Sequence, residues 1–378
     1  MKILFFSPYF YPYTSGVTTY PLKILSYLAK KNKITVLTFH HDHKLSNQVT
    51  HNQITINRMP YLFKISKGFI SPQSLIYFLK YTKLTDLIIL NQPNFEGLFL
   101  ALIGKMFRKK IISIFHCQVF LEGNLITKII NSVLNISMKI QLNLSDKIVV
   151  YTKDYISSLP YFEKLKNKTL EVLPPIEKVE EDKIFLNKLL IQKNKNIWIG
   201  YAGRISSEKG IEYLLQSIKR LKYKKNIKLI FAGPYGKNVA GENNYYNKII
   251  KLLKEYGIKH FFLGNLTSEQ LFAFYKTIDL LVLPSINQTE AFGMVQAEAM
   301  IAGTPVIASN LPGVRISIRL TKMGIIVEPK DIKQISVAIN KVLENKNKYS
   351  NHDLVEKAKK IFDIRKIYQF YDQLLTSL

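Results

Sequence analysis

The chain has 378 residues, 47% of them hydrophobic and 12% aromatic, which is long for one core, comfortable for two, and too apolar for intrinsic disorder. Its single cysteine, Cys117, excludes a disulfide framework and a cysteine-based zinc site, and fits a reducing, cytoplasmic compartment. A formal charge of +27 invites an anionic partner, yet lysine outnumbers arginine 47 to 7 and no RNP, zinc-finger or helix-turn-helix signature accompanies it, so nucleic acid is not expected.

The apolar start MKILFF runs into Pro8 and Pro12 with no small-residue cleavage site behind it, so it reads as a first strand and not as a leader. Further strands are expected at 34–38, 54–58, 86–90, 111–115 and 147–151, with helical patterns between most of them, which is the signature of a parallel α/β domain. The cluster His40-His41-Asp42-His43 has metal-ligating residue types, but nothing else in the sequence completes a site, and a polar loop capping the second strand is the simpler reading. Residues 61–84 interleave aromatics and lysines, which suits either an element lying on a membrane surface or a core-facing helix with solvated lysines. Residues 124–144 hold Lys128, Lys139 and four asparagines, so they form a buried or surface-lying helix and not a span. Residues 1–150 carry 18 Lys+Arg against 5 Asp+Glu. Lysine bias accounts for part of that excess, and an anionic membrane surface is the partner that it admits.

The diproline and acidic run at 172–182 read as a linker. A second series of strands then follows at 197–201, 227–232, 259–263, 279–283 and 304–308, so the expected fold is α/β, two doubly wound domains facing a central cleft. Ligands of such sheets bind at the carboxyl ends of the strands, which directs attention to the loops there. Gly16, after the first strand, allows close backbone approach at a helix start. Arg204 and Lys209 flank a turn after the strand 197–201, where two fixed cations would face a diphosphate. Arg204 is one of only seven arginines, whereas a lysine in this chain is usually solvated surface.

The stretch EAFGMVQAEAMIAGTP places Glu290 in a loop and Glu298 about one turn inside a helix that begins near Met294 and is stopped by Gly303. Both carboxylates border a helix N-terminus that favours a phosphate, and two acids beside a phosphate suggest bound hydroxyl groups. A nucleotide sugar carries both.

Taken together, GYAGRISSEKGIEYLL, LIFAGP, FLGNLTSEQLFAFY and EAFGMVQAEAMIAGTPVIASNLPGVR resemble the second domain of the retaining glycosyltransferases of the GT4 family, which have a GT-B fold; SPYFYPYTSGVTTY and FHCQ resemble segments of their first domain. The expected domains are 1–175, Rossmann-like and on the acceptor side; 176–360, Rossmann-like and donor-binding; and 361–378, a C-terminal helix packing back toward the first. The resemblance implies that Arg204 and Lys209 bind the donor diphosphate and stabilise the leaving nucleotide. It puts Glu290 by the transferred sugar, Glu298 on the ribose, and the N–H groups of Phe292, Gly293, Met294 and Val295 along the sugar and diphosphate. It puts Gly16 in a loop closing over the diphosphate and His116 near the reacting centre; without the resemblance, His116 reads as a packed histidine at a strand end.

Departures from the family's pattern are Ser15-Gly16 in place of a glycine pair, and VLPPIEK in place of a Pro-Asn-Gly turn. No Asp-x-Asp motif occurs, so no metal or other cofactor is expected. The implied reaction moves a hexose from a UDP- or GDP-sugar, with front-face attack assisted by the departing phosphate, to a membrane lipid, a lipid-linked sugar or a glycan. The protein would sit in the cytoplasm, peripherally on the inner face of the plasma membrane if the acceptor is lipid. Two other classes remain open: a GT-B sugar-nucleotide epimerase, and a non-enzymatic basic protein that binds membrane or nucleic acid.

Overall fold

In the computed structural model the chain forms two compact units, Met1–Pro175 with Ile364–Leu378, and Ile176–Asp363. The structure describes every residue except 14, 66–67, 120–124, 222–225, 237–238 and 240–241.

The first unit contains β1 (Lys2–Phe6), α1 (Gly16–Leu28), β2 (Lys33–Phe39), β3 (Gln48–His51), β4 (Ile54–Met59), β5 (Phe63–Ile65), β6 (Gly68–Ile70), α2 (Ser74–Lys83), β7 (Leu87–Gln92), α3 (Gly97–Met106), β8 (Lys110–Phe115), α4 (Leu125–Leu144), β9 (Lys147–Val150), α5 (Lys153–Ser157) and β10 (Thr169–Glu171). Its sheet runs β10-β9-β8-β7-β1-β2-β4-β3, parallel except for β3. Strands such as β7 are buried at every position, as a sheet covered on both faces requires. The strand order reverses between β1 and β7, where Ile3 pairs with Leu87 on one side and Ile34 on the other. Right-handed crossovers on the two sides of that reversal put α1 on one face of the sheet and α3 and α4 on the other. On the second face α2 packs on α3 and α3 on α4.

Residues 61–84 are not one helix. They form a β5–β6 hairpin and then α2, and Phe69, 1% exposed, stacks on Phe39 inside the core. Phe69 therefore cannot meet a lipid surface, and Tyr61 is half-buried against it. The buried Glu96 carboxylate holds this hairpin by accepting the Phe69 N–H at 2.7 Å. Lys67 lies outside the described residues. Among the described residues no helix is long and apolar enough to cross a membrane, and no cluster of histidine, cysteine or carboxylate side chains could hold a metal.

The second unit contains α6 (Lys183–Lys193), β11 (Ile197–Ala202), α7 (Ile211–Lys219), β12 (Ile227–Ala232), α8 (Asn243–Glu255), β13 (Lys259–Gly264), α9 (Ser268–Thr277), β14 (Leu280–Leu283), α10 (Met294–Ile301), β15 (Val306–Ser309), α11 (Val314–Thr321), β16 (Gly324–Val327), α12 (Ile332–Glu344), α13 (Lys346–Tyr349) and α14 (His352–Ile361). All six strands are parallel, in the order β13-β12-β11-β14-β15-β16. Leu214, Leu215 and Ile218 of α7 and Ile335, Ile339 and Val342 of α12 close the core over one face. The order reverses between β11 and β14, which sets the loops that follow those strands side by side. The chain enters and leaves this unit at adjacent points, through a single bridge between Ile176 and Asp363.

The last helix, α15 (Ile364–Thr376), belongs to the first unit, where it packs on α1. Tyr371 is fully buried with its hydroxyl 2.8 Å from that of Tyr20, Tyr368 stacks on Tyr27 at 4.0 Å, and the Tyr27 hydroxyl donates to Asp372 at 2.6 Å.

Candidate functional site

The switch point of the second unit brings together two of the residues singled out by the sequence. Lys209 ends a short 3-10 turn, Ser207–Lys209, in the loop after β11. Glu290 lies in the loop after β14, and the two form an ion pair whose side chains are 16% and 15% exposed. Backbone geometry sets this meeting. Gly210, with φ +62°, turns the chain into α7, and a Cβ there would stand 2.5 Å from the Pro284 carbonyl oxygen. The Ile286 N–H donates to the Glu208 carbonyl at 3.0 Å, which stitches the two loops directly.

Arg204 is not in that pair. Its Nη2 donates to Glu208 Oε1 at 2.9 Å, while the Ser206 hydroxyl donates to the same oxygen at 2.7 Å. Burial is the largest influence on the Glu208 carboxyl and acts to raise it, but Ser206 and Arg204 together hold it below the usual carboxylate range. Beneath the cluster the Tyr201 hydroxyl donates to the Arg204 carbonyl at 2.6 Å. Tyr201 is pushed well above its ordinary value, first by burial and then by the nearby Glu208 and Glu290 carboxylates.

Gly293 caps α10 with φ +74°, and a Cβ there would fall 2.5 Å from Leu283 and 2.8 Å from Gln296 Nε2. Gln296 is fully buried and donates to the carbonyls of Phe292 at 2.6 Å and Val314 at 3.0 Å, which fixes the approach to the helix. Met294 and Val295 are its first two residues, so their N–H groups have no carbonyl one turn back and, with the helix dipole, favour an anion. Glu298, four residues after Met294, accepts from the buried Tyr275 hydroxyl of α9 at 2.9 Å. The sequence did not point to Glu208 or Tyr275. Glu208 carried a signal in its i, i+4 spacing from Arg204; Tyr275 carried none, because it is distant in the chain.

Gly16 and His116 lie in the first unit. Gly16 is the exposed first residue of α1, after Ser15, whose N–H donates to the Thr18 hydroxyl at 2.9 Å. His116 follows β8, and both of its ring nitrogens are engaged, Nε2 with Asn91 Oδ1 at 2.6 Å and Nδ1 with the Tyr151 hydroxyl. Asn91 donates its own Nδ2 to the Val17 carbonyl at 2.9 Å, so its Oδ1 is an acceptor and His116 carries its proton on Nε2. Burial pushes His116 down to about 3, so it is neutral.

Two Rossmann-like units of this build, with the Gly-Arg turn and the Glu290–Glu298 segment at the switch point of the second, have the fold of the GT-B glycosyltransferases. The model of the family "Glycosyl transferases group 1" matches residues 182–361, which lie within the second unit. Over 164 residues the chain is 37% identical to the lipopolysaccharide 1,2-N-acetylglucosaminetransferase of Salmonella typhimurium, a match covering 43% of this chain and 42% of that relative's length. An uncharacterized glycosyltransferase of Methanocaldococcus jannaschii is 25% identical over 98% of both chains. The crystal structure of Anabaena HepE in complex with UDP superposes over 100% of both chains with a TM-score of 0.79 at 18% identity, a likeness of fold.

Proposed function

We propose that the protein transfers a hexose, with retention of anomeric configuration and without a metal ion, from a nucleotide-sugar donor to an acceptor hydroxyl. The observation that carries this is the Lys209–Glu290 pair set beside the N-terminal end of α10 at the switch point of the second unit. Breaking an anomeric C–O bond builds oxocarbenium character on the sugar and negative charge on the departing phosphate. Lys209, Arg204 and the Met294 and Val295 amides supply fixed positive charge for that phosphate. Glu290, beside the ammonium, accepts sugar hydroxyls, and Glu298, steadied by Tyr275, accepts the ribose hydroxyls. No carboxylate in these motifs is placed as a nucleophile in this reading, so the leaving phosphate assists front-face attack.

UDP is the nucleotide in the superposable HepE structures, one of which holds UDP-glucose, and this supports a UDP-sugar over a GDP-sugar. Gly16 and His116 are candidates for further donor contacts; His116, being neutral, would act by position and not by charge. A thermal-shift panel of UDP, GDP and their sugars tests the reading, because a ligand that binds only the native state raises its melting temperature. A selective rise with one nucleotide and its sugar supports it, and no rise with any of them refutes it.

A further inference from the structure

On the first unit, α2, α3 and α4 lie side by side and turn an unusual face to solvent. The residues that α2 buries are Ser74, Phe78 and Thr82, and α3 likewise buries Leu100, Ala101 and Ile103. Their outer faces are nonetheless apolar. Ile76 is 68% exposed and Leu79 41% on α2, Leu102 44% and Met106 78% on α3, Ile129 55% and Ile136 58% on α4. More than half of the large hydrophobic side chains exposed among the described residues belong to this layer or to the residue that ends one of its helices. Contiguous apolar surface of this kind marks an interaction site.

The charged residues of the layer are all basic. The 10 residues of α2, 10 of α3 and 20 of α4 include no aspartate or glutamate, while Lys80, Lys83, Lys128 and Lys139 stand exposed among the apolar positions. Lysine bias does not explain this, since a bias toward lysine neither removes acids nor turns isoleucine outward. Helices α7 and α8 of the second unit carry Glu212 and Glu255 and expose no large apolar side chain.

We propose that the α2–α3–α4 face docks on the surface of an anionic lipid bilayer, with the apolar side chains entering the headgroup–acyl boundary and the lysine heads remaining at the phosphates. A second copy of the chain fits the face poorly, because an isologous contact would set the same lysines against one another with no acid to separate them. A lipid surface brings the opposite charge. Joined to the transferase reading, on which this last step rests, the docked face makes the acceptor lipid-borne.

The test is cosedimentation of the full chain with vesicles of phosphatidylcholine alone, and of phosphatidylcholine mixed with phosphatidylglycerol, at low and high salt. Binding should favour the mixed vesicles and weaken as salt screens the lysines, over a Debye length of about 10 Å at 0.1 M. Ile129→Ser/Ile136→Ser should lower partitioning about tenfold or more at either salt. Lys128→Gln/Lys139→Gln should abolish most of the preference for anionic vesicles. The control pair Ile184→Ser/Ile191→Ser, exposed on α6 of the second unit, should bind like the parent chain. An unchanged melting temperature shows that each variant is folded. No lipid-dependent binding at low salt overturns the proposal, as does equal loss in the α6 control. A doubled mass in solution that Ile129→Ser/Ile136→Ser relieves would make the face a dimer interface instead. No donor is needed for these readouts, so their failure leaves the transferase reading standing, and the nucleotide panel can fail without touching them.

Discussion

Glu290→Gln removes one charge from the Lys209–Glu290 pair while keeping the size of the side chain. The ammonium left behind is only 16% exposed and faces a neutral amide. Breaking a fully buried pair from one side costs about 3–5 kcal/mol, and an exposed pair is worth about 0–1 kcal/mol. Exposures this low, but not zero, place the cost between those limits, at about 2 kcal/mol. For a unit of this size each kcal/mol lowers the melting temperature by about 2–4 °C, so Glu290→Gln should melt about 4–8 °C below the parent. Lys209→Met, which strands the carboxylate, should lose a similar amount. The double variant should recover part of the loss, with a coupling energy of about 1–2 kcal/mol. Thermal and urea unfolding of the four proteins at one ionic strength measures this cycle. Strict additivity, or shifts of less than about 1 °C in both single variants, would show that the pair does not persist in solution. The same Glu290→Gln protein should still bind the bare nucleotide and should lose affinity only for the sugar-bearing donor.

Three further outcomes are expected. Arg204→Ala and Lys209→Ala should each lower turnover about a hundredfold or more with the fold retained, by loss of charge opposite the departing phosphate, and near-parental turnover in both would remove the assignment. Glu298→Gln should weaken the bare nucleotide about tenfold by isothermal calorimetry, since a hydroxyl bound to a carboxylate is worth more than one bound to an amide, and unchanged affinity would separate Glu298 from the ribose. His116 is held at about 3 in the fold against an ordinary value near 6.5, so its contribution to stability is complete above pH 6.5 and is lost as pH falls from there toward 3. Protonation of the unfolded chain should cost about 2 kcal/mol by pH 5, and His116→Gln should flatten that part of the stability profile.

The alternating strand and helix patterns sufficed for two parallel α/β layers, because a strand buried on both faces, such as Leu87–Gln92, must be apolar throughout and announces itself locally. Short edge strands such as Gln48–His51 and Thr169–Glu171 were not legible, since an edge needs few apolar residues and takes its geometry from its neighbour. Residues 61–84 show the same limit. Their aromatics and lysines fit a helix or a surface strip, but the buried Glu96 carboxylate, 27 residues beyond Phe69, folds the first part into a hairpin. At the candidate site the sequence supplied the residue types: a rare arginine at a strand end, a lysine in the same turn, and two acids eight residues apart ahead of and inside one helix. Only the tertiary structure decided the pairings of Lys209 with Glu290, Glu298 with Tyr275, and His116 with Asn91 and Tyr151. Local preference is set by a residue and its near neighbours, whereas the Lys209–Glu290 contact joins two loops that become adjacent where the order of strands reverses, from positions 81 residues apart.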